Sequence, residues 1–190
     1  MGTGESVDDL FRRYGDSYRV LVTAAGMTAS FVMVISSTIV NVAIPDVMGA
    51  FGIGQDQAQL MATAFNVAMV TSQLLNARVV AAFGQRYGFC GTLLVFTIGS
   101  FIGGFAEGYG MIVFGRVLQG AAAGCIQPLI MVTIFQVFPA DHRGFAMGVY
   151  GMGLTLAVGL GPVLGGIAIE LLDWRYIFLA PIPLVFLALG

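Results

Sequence analysis

Long apolar runs separated by short charged or turn-forming breaks dominate this chain. A polar tail of mixed charge occupies 1–19, and apolar runs follow at 20–44, 57–80, 89–106, 111–138 and 144–169. A last run, 176–190, begins after Asp173-Trp174-Arg175. The breaks are Pro45-Asp46 through Asp56, a short loop with Arg86, Glu107-Gly108-Tyr109-Gly110, and Pro139-Ala140-Asp141-His142-Arg143. A helix needs roughly 20 apolar residues to cross a bilayer, and the first five runs meet that length. The sixth, roughly 15 residues, does not. The pattern predicts an all-α integral membrane protein with five full spans and an incomplete sixth. The tail reads as disordered or loosely interfacial.

Composition agrees: 58% of residues are hydrophobic, 9% are charged, and the mean hydropathy is +0.92. Soluble domains carry about 25% charged residues. The basic residues are all arginines, and they are unevenly placed. Arg12, Arg13 and Arg19 lie in the tail, Arg78 and Arg86 flank the second break, and Arg143 lies in the fourth. The alternate breaks hold Asp46, Asp56, Glu107, Glu170 and Asp173, with Arg175 their one basic residue. By the positive-inside rule the N-terminus is cytoplasmic, in a multi-pass protein of the plasma membrane, a bacterial inner membrane by expectation. A net charge of −2 without a basic cluster argues against nucleic-acid binding. Cys90 and Cys125 lie within apolar runs and read as buried small hydrophobes. His142 reads as a solvated loop residue. No nucleophile–base pair or metal-ligand cluster is visible, so neither an enzyme nor a metal or cofactor site is expected.

The chemistry lies in the spans. From Gly148 to Gly166 the fifth reads GVYGMGLTLAVGLGPVLGG. Gly153, Ala157, Gly161 and Gly165 recur every fourth residue, a stripe that lets another helix come close. Pro162 cannot donate to the Val158 carbonyl, which predicts a bend or soft point. In the second span Gln59, Asn66 and Gln73 recur at heptad spacing with Thr63 nearby, so one face is polar. Interhelical hydrogen bonding and a substrate-facing role both fit that face. The third span, with Thr92, Thr97, Ser100 and Gly99-x3-Gly103, suits a lipid-facing helix with one packing seam. In the fourth, Arg116 carries a cost of about 2.5–3.5 kcal/mol at the centre of a span, so it should face the interior. Snorkelling outward is the other reading. Arg116 lies at a depth similar to Ser36 of the antiparallel first span, and Gln119 and Gly120-x3-Gly124 accompany it. No Asp or Glu lies within a complete span, so serine, glutamine or backbone carbonyls must satisfy it.

These segments resemble a known family. Gly148, Ala157, Gly161-Pro162 and Gly165-Gly166 look like the fifth-helix antiporter signature of the major facilitator superfamily, G-x8-G-x3-G-P-x2-G, with Ala157 for its second glycine. Ile35 through Pro45 resembles the L-D-x-T-I-V-N-V-A-L-P segment of the fourteen-spanning drug:proton antiporter branch. Thr38, Asn41 and Pro45 match it, while Ser36 stands where that branch has a membrane-embedded aspartate. Arg116 to Ala123 is similar to R-x-x-Q-G-x-G-A-A, matching at Arg116, Gln119 and Gly120, with Ala122 for the second glycine. Asp173 to Phe178 resembles W-R-W-I-F. The loop motif G-x-L-x-D-R-x-G-R-R is degraded: aligned on Gly84, the chain has Ala81, Ala82, Gly84, Gln85 and Arg86, without the acid or the first basic residue.

The resemblance implies the N-terminal six-helix half of a major facilitator fold, with the sixth helix truncated. It implies a substrate site near the midplane between two halves that rock to alternate access. The implied activity is secondary active export of small amphipathic organic molecules or drugs, driven by proton entry. Asn66, Gln73 and Gln127 are the substrate-cavity candidates. The implied partners are the lipid bilayer, a small organic substrate, a proton as coupling ion, and the missing C-terminal half or a second copy. A serine cannot hold a coupling charge, so the coupling chemistry is in question at Ser36. The alternative expectation is a truncated or degraded product that inserts in the membrane without transporting.

Overall fold

The computed structural model describes residues 16–188, with side chains from residue 20 onward. Its elements are helices: α1 (Asp16–Phe51), α2 (Gln55–Gly104), α3 (Tyr109–Val137), α4 (Ala140–Leu171), α5 (Tyr176–Leu179) and α6 (Pro181–Leu187). The first four are long and apolar enough to cross a membrane, while Tyr176–Leu187 forms only shorter apolar helix. The predicted tail falls outside the described residues, apart from 16–19, which begin α1.

The 50-residue α2 is two passes, not one. At Gly84 the backbone takes φ 76° and ψ 168°, a left-handed extended conformation that glycine adopts without steric cost. The contacts on either side show the reversal. Phe65 and Met69 of the first limb (55–83) lie against Gly120 and Gly124 of α3, so the two run parallel. Gly99 and Gly103 of the second limb (85–104) meet α3 in descending order, Gly99 beside Gln119 and Gly115, Gly103 beside Gly115. Gly26 facing Ile130 and Ser36 facing Arg116 make α1 antiparallel to α3. Ser30 facing Tyr150 and Ile39 facing Gly165 make α1 parallel to α4. The described residues thus make five alternating passes, followed by α5 and α6.

The helices overrun the uncharged runs. Where a break was expected at Pro45-Asp46, α1 continues to Phe51 and ends at Gly52 with φ 61°. Pro45 forfeits one hydrogen bond, to the Asn41 carbonyl, on an exposed turn. The continuation keeps Val47 fully buried. At the other end, Ala180 keeps right-handed helical dihedrals between α5 and α6, and the division there coincides with Pro181, which has no N–H to give.

Two apolar clusters make the core. One gathers Ala29, Val32, Met33, Phe65, Phe96, Ile126 and Ile130. The other gathers Ile39, Val40, Met61, Ile112, Ala157, Trp174 and Phe178. Trp174 meets Phe51 and Phe178 edge-on at 5.7 and 6.3 Å, fixing the corner where α5 begins. Polar side chains occupy the level between the clusters. Cys125 is half-buried beside the Ser72 carbonyl, whereas Cys90 is exposed, against the expectation that both are buried. Periodicity could not distinguish these cases, because a cysteine facing lipid reads like one facing protein.

Candidate functional site

The polar level is organised by Arg116, which is 1% exposed. One terminal nitrogen, Nη1, donates to the Ser36 carbonyl at 2.9 Å, to Gln119 Oε1 at 3.0 Å, and to Ser36 Oγ at 3.5 Å. Nε reaches the Met61 carbonyl at 3.4 Å. The guanidinium carbon lies 4.2 Å from the Phe65 ring centroid, a cation–π contact. Gln119 passes the network on, donating from Nε2 to Ser100 Oγ at 2.8 Å. The layer therefore ties α1, both limbs of α2, and α3 together. Arg116 faces the interior and does not snorkel.

The bundle can bring these groups so close because α3 is small where it meets its neighbours. A side chain at Gly120 or Gly124 would overlap the Phe65 or Met69 carbonyl. At Gly115 and Gly99 a Cβ would stand 2.7 and 2.8 Å from the facing carbonyl oxygen. That allows α3 to pack against both limbs of α2, the close approach small residues permit.

A groove of about 320 Å³ opens among α1, the first limb of α2, α3 and α4. Met33, Met69, Leu154 and Val158 give it apolar walls, and Ser37, Gln127 and Thr155 supply its polar atoms. Gln73 stands beside it, donating from Nε2 to Gln127 Oε1 at 3.1 Å. Of the three residues singled out in the sequence as cavity candidates, Gln127 lines this groove, Gln73 holds Gln127, and Asn66 is exposed outside it. Ser37 and Thr155 were missed. Thr155 sits in an apolar stretch and Ser37 between the motif residues Ser36 and Thr38, and each also bonds its own helix, Ser37 to the Val34 carbonyl and Thr155 to the Gly151 carbonyl. Nothing in their spacing set them apart.

The remaining motif residues divide by face. Gly161 meets Thr38 and the Ile35 carbonyl, Gly165 meets Ile39, and Ala157 is fully buried, so this stripe packs on α1. Thr38 turns its hydroxyl back to the Ile35 carbonyl at 3.2 Å. Gly148 and Pro162 are exposed, Gly166 is half-buried, and no atom lies within 4 Å of where a Cβ would stand at Gly148, Gly153 or Gly166. Asn41 and Arg86 are exposed, and Gly84 makes the reversal already described. His142 lies 3.4 Å from Asp141, both side chains largely exposed. No group of three or more His, Cys, Asp or Glu that could hold a metal occurs among the described residues.

A family model described as Major Facilitator Superfamily matches residues 26–190. The chain belongs to the major facilitator superfamily. Among its relatives, the uncharacterized MFS-type transporter YhcA of Bacillus subtilis is 33% identical over 165 residues, 87% of this chain and 30% of YhcA. The multidrug export protein EmrB of Haemophilus influenzae is 32% identical over 165 residues, 87% of this chain and 32% of EmrB. The chain thus spans about a third of the length of these relatives. Its fold matches the major facilitator proton:xylose symporter XylE with a TM-score of 0.78 at 14% identity, over 93% of this chain and 44% of XylE. The alternating passes and the layer at Arg116 are therefore parts of a major facilitator bundle.

Proposed function

We propose that this chain forms the N-terminal, cavity-lining half of a major facilitator exporter of small amphipathic organic molecules. The groove carries the reading. Ligand pockets are typically apolar with a few convergent polar groups, and this one combines Met, Leu and Val walls with Ser37, Gln127 and Thr155. Methionines adapt to irregular apolar shapes, which suits a site taking varied substrates. The Arg116 layer holds α1, α2 and α3 as one body, and such a body can rock against a second half without rearranging inside.

The helix directions support a cytoplasmic N-terminus. Arg78, Arg86 and Arg143 all fall at the end of the bundle where α1 starts, and the positive-inside rule assigns that end to the cytoplasm. Proton entry is the proposed energy source. The titrating group then lies outside the Arg116 layer, since arginine stays protonated and serine does not titrate.

A saturable binding assay tests the proposal: the purified chain in lipid nanodiscs, titrated with an amphipathic rhodamine dye. The account predicts specific binding above that of empty nanodiscs, weakened when Met69→Trp fills the groove or Gln127→Leu removes its amide. Binding equal to that of empty discs, or untouched by both variants, contradicts it. The acid-free Arg116 layer and the acid-free stretch 77–86 favour a second reading, an inserted chain that transports nothing. That reading gains if the dye binds but cells making the chain together with a second half show no efflux.

A further inference from the structure

Arg116 is a buried charge with only neutral company. Its partners are the Ser36 and Met61 carbonyls, the Gln119 amide oxygen, the Ser36 hydroxyl and the Phe65 ring. None cancels a unit charge, and a buried ion is costly unless it is paired. No carboxylate pairs with Arg116 among the described residues. Asp46 lies ten residues along α1 from Ser36 and Asp56 five residues before Met61 on α2, about 15 and 8 Å at 1.5 Å per residue. Both are exposed, as is Glu107 before α3. A second half has no access either, because Arg116 is 1% exposed on this half alone.

The layer also has donors to spare. The second terminal nitrogen, Nη2, is buried and has no partner among the described residues. Ser36 Oγ accepts from Nη1, and its own proton meets no acceptor among the described residues. Unspent donors around an uncancelled positive charge are the chemistry of an anion site. A water molecule would take the protons but leave the charge. Arg116 and Ser36 are each 1% exposed, so the anion that suits the layer is a small one.

We propose that the Arg116–Ser36 layer binds a small monovalent inorganic anion, chloride in the cell, as the counter-charge of the guanidinium. The anion accepts from Nη2 and the Ser36 hydroxyl and joins α1 to α3 through its charge. Folding and anion binding are then linked: chloride at ten times its dissociation constant raises the folded-to-unfolded ratio about 11-fold.

The test is thermal unfolding of the intact chain in nanodiscs, with chloride replaced stepwise by gluconate at constant ionic strength. The unmodified chain should gain stability with chloride or bromide and then saturate. Ser36→Asp supplies a resident anion, so it should be stable in gluconate and indifferent to chloride. Ser37→Asp, one residue along in the groove, should keep the chloride response. No response from the unmodified chain, or equal responses from it and Ser36→Asp, overturns the proposal. If Ser36→Asp does not fold, Ser36→Ala decides, because it removes one of the two donors to the anion. A chloride response weakened several-fold in Ser36→Ala supports the site, and a response equal to that of the unmodified chain refutes it.

Discussion

Helices α3 and α4 are both rich in glycine and both carry sequence signatures, yet they use their small residues in different ways. In α3, Gly115, Gly120 and Gly124 all stand against neighbouring backbone, and Arg116 and Gln119 are sealed behind them. In α4 only the face with Ala157, Gly161 and Gly165 is closed, by α1. Its other glycines, among them Gly148, Gly151 and Gly159, meet nothing, and Met152, Leu156 and Val158 are exposed between them. A stripe of small residues therefore identifies a helix that can be approached, not one that has been. The contrast separates an inner frame, built on α3, from a working surface shared by the open side of α4 and the groove.

The largest break in that contrast should come from Gly120→Leu. The Phe65 main chain cannot yield as a side-chain tip can, so the loss should be about 3 kcal/mol or more, above the usual overpacking cost. Detergent-solubilised protein should then fail to elute as a single species. Gly161→Leu meets the Thr38 side chain and should cost about 1–3 kcal/mol, read as a lower unfolding temperature and weaker crosslinking between α1 and α4. A double-mutant cycle of Gln73→Leu and Gln127→Leu should give a coupling of about 0.5–1.5 kcal/mol, the range for one hydrogen bond. The smallest effect belongs to Gly148→Leu, within about 0.5 kcal/mol for this chain, as at an ordinary surface site. If Gly148→Leu destabilised the chain as much as Gly120→Leu, the division into frame and surface would collapse.

Much of the frame was legible in the sequence, because lipid permits few solutions. An uncharged run of sufficient length must be helical, and an arginine within one must turn inward. The antiparallel order of the first and fourth spans put Ser36 and Arg116 at one depth, and the structure joins them at 2.9 Å. What escaped was whatever depends on helix rotation. Phe65 reads like any other apolar residue until its ring is found under a guanidinium. Ser37 and Thr155 bond their own helices wherever they point, so their place in the groove left no mark on the pattern. The reversal at one glycine was also hidden, since the charged stretch around Arg86 suggested a longer loop than Gly84 requires.

Neighbouring serines on α1 give the most direct test. Ser36 is 1% exposed within the Arg116 layer, whereas Ser37 lines the groove. With Cys90 and Cys125 replaced by alanine, Ser36→Cys and Ser37→Cys are each exposed to a small polar thiol reagent in nanodiscs. The account predicts that Ser37→Cys is modified and is protected by bound amphipathic dye, while Ser36→Cys stays unmodified. Modification of Ser36→Cys, or no dye protection at Ser37→Cys, would contradict the claim that a sealed polar frame supports an open binding groove.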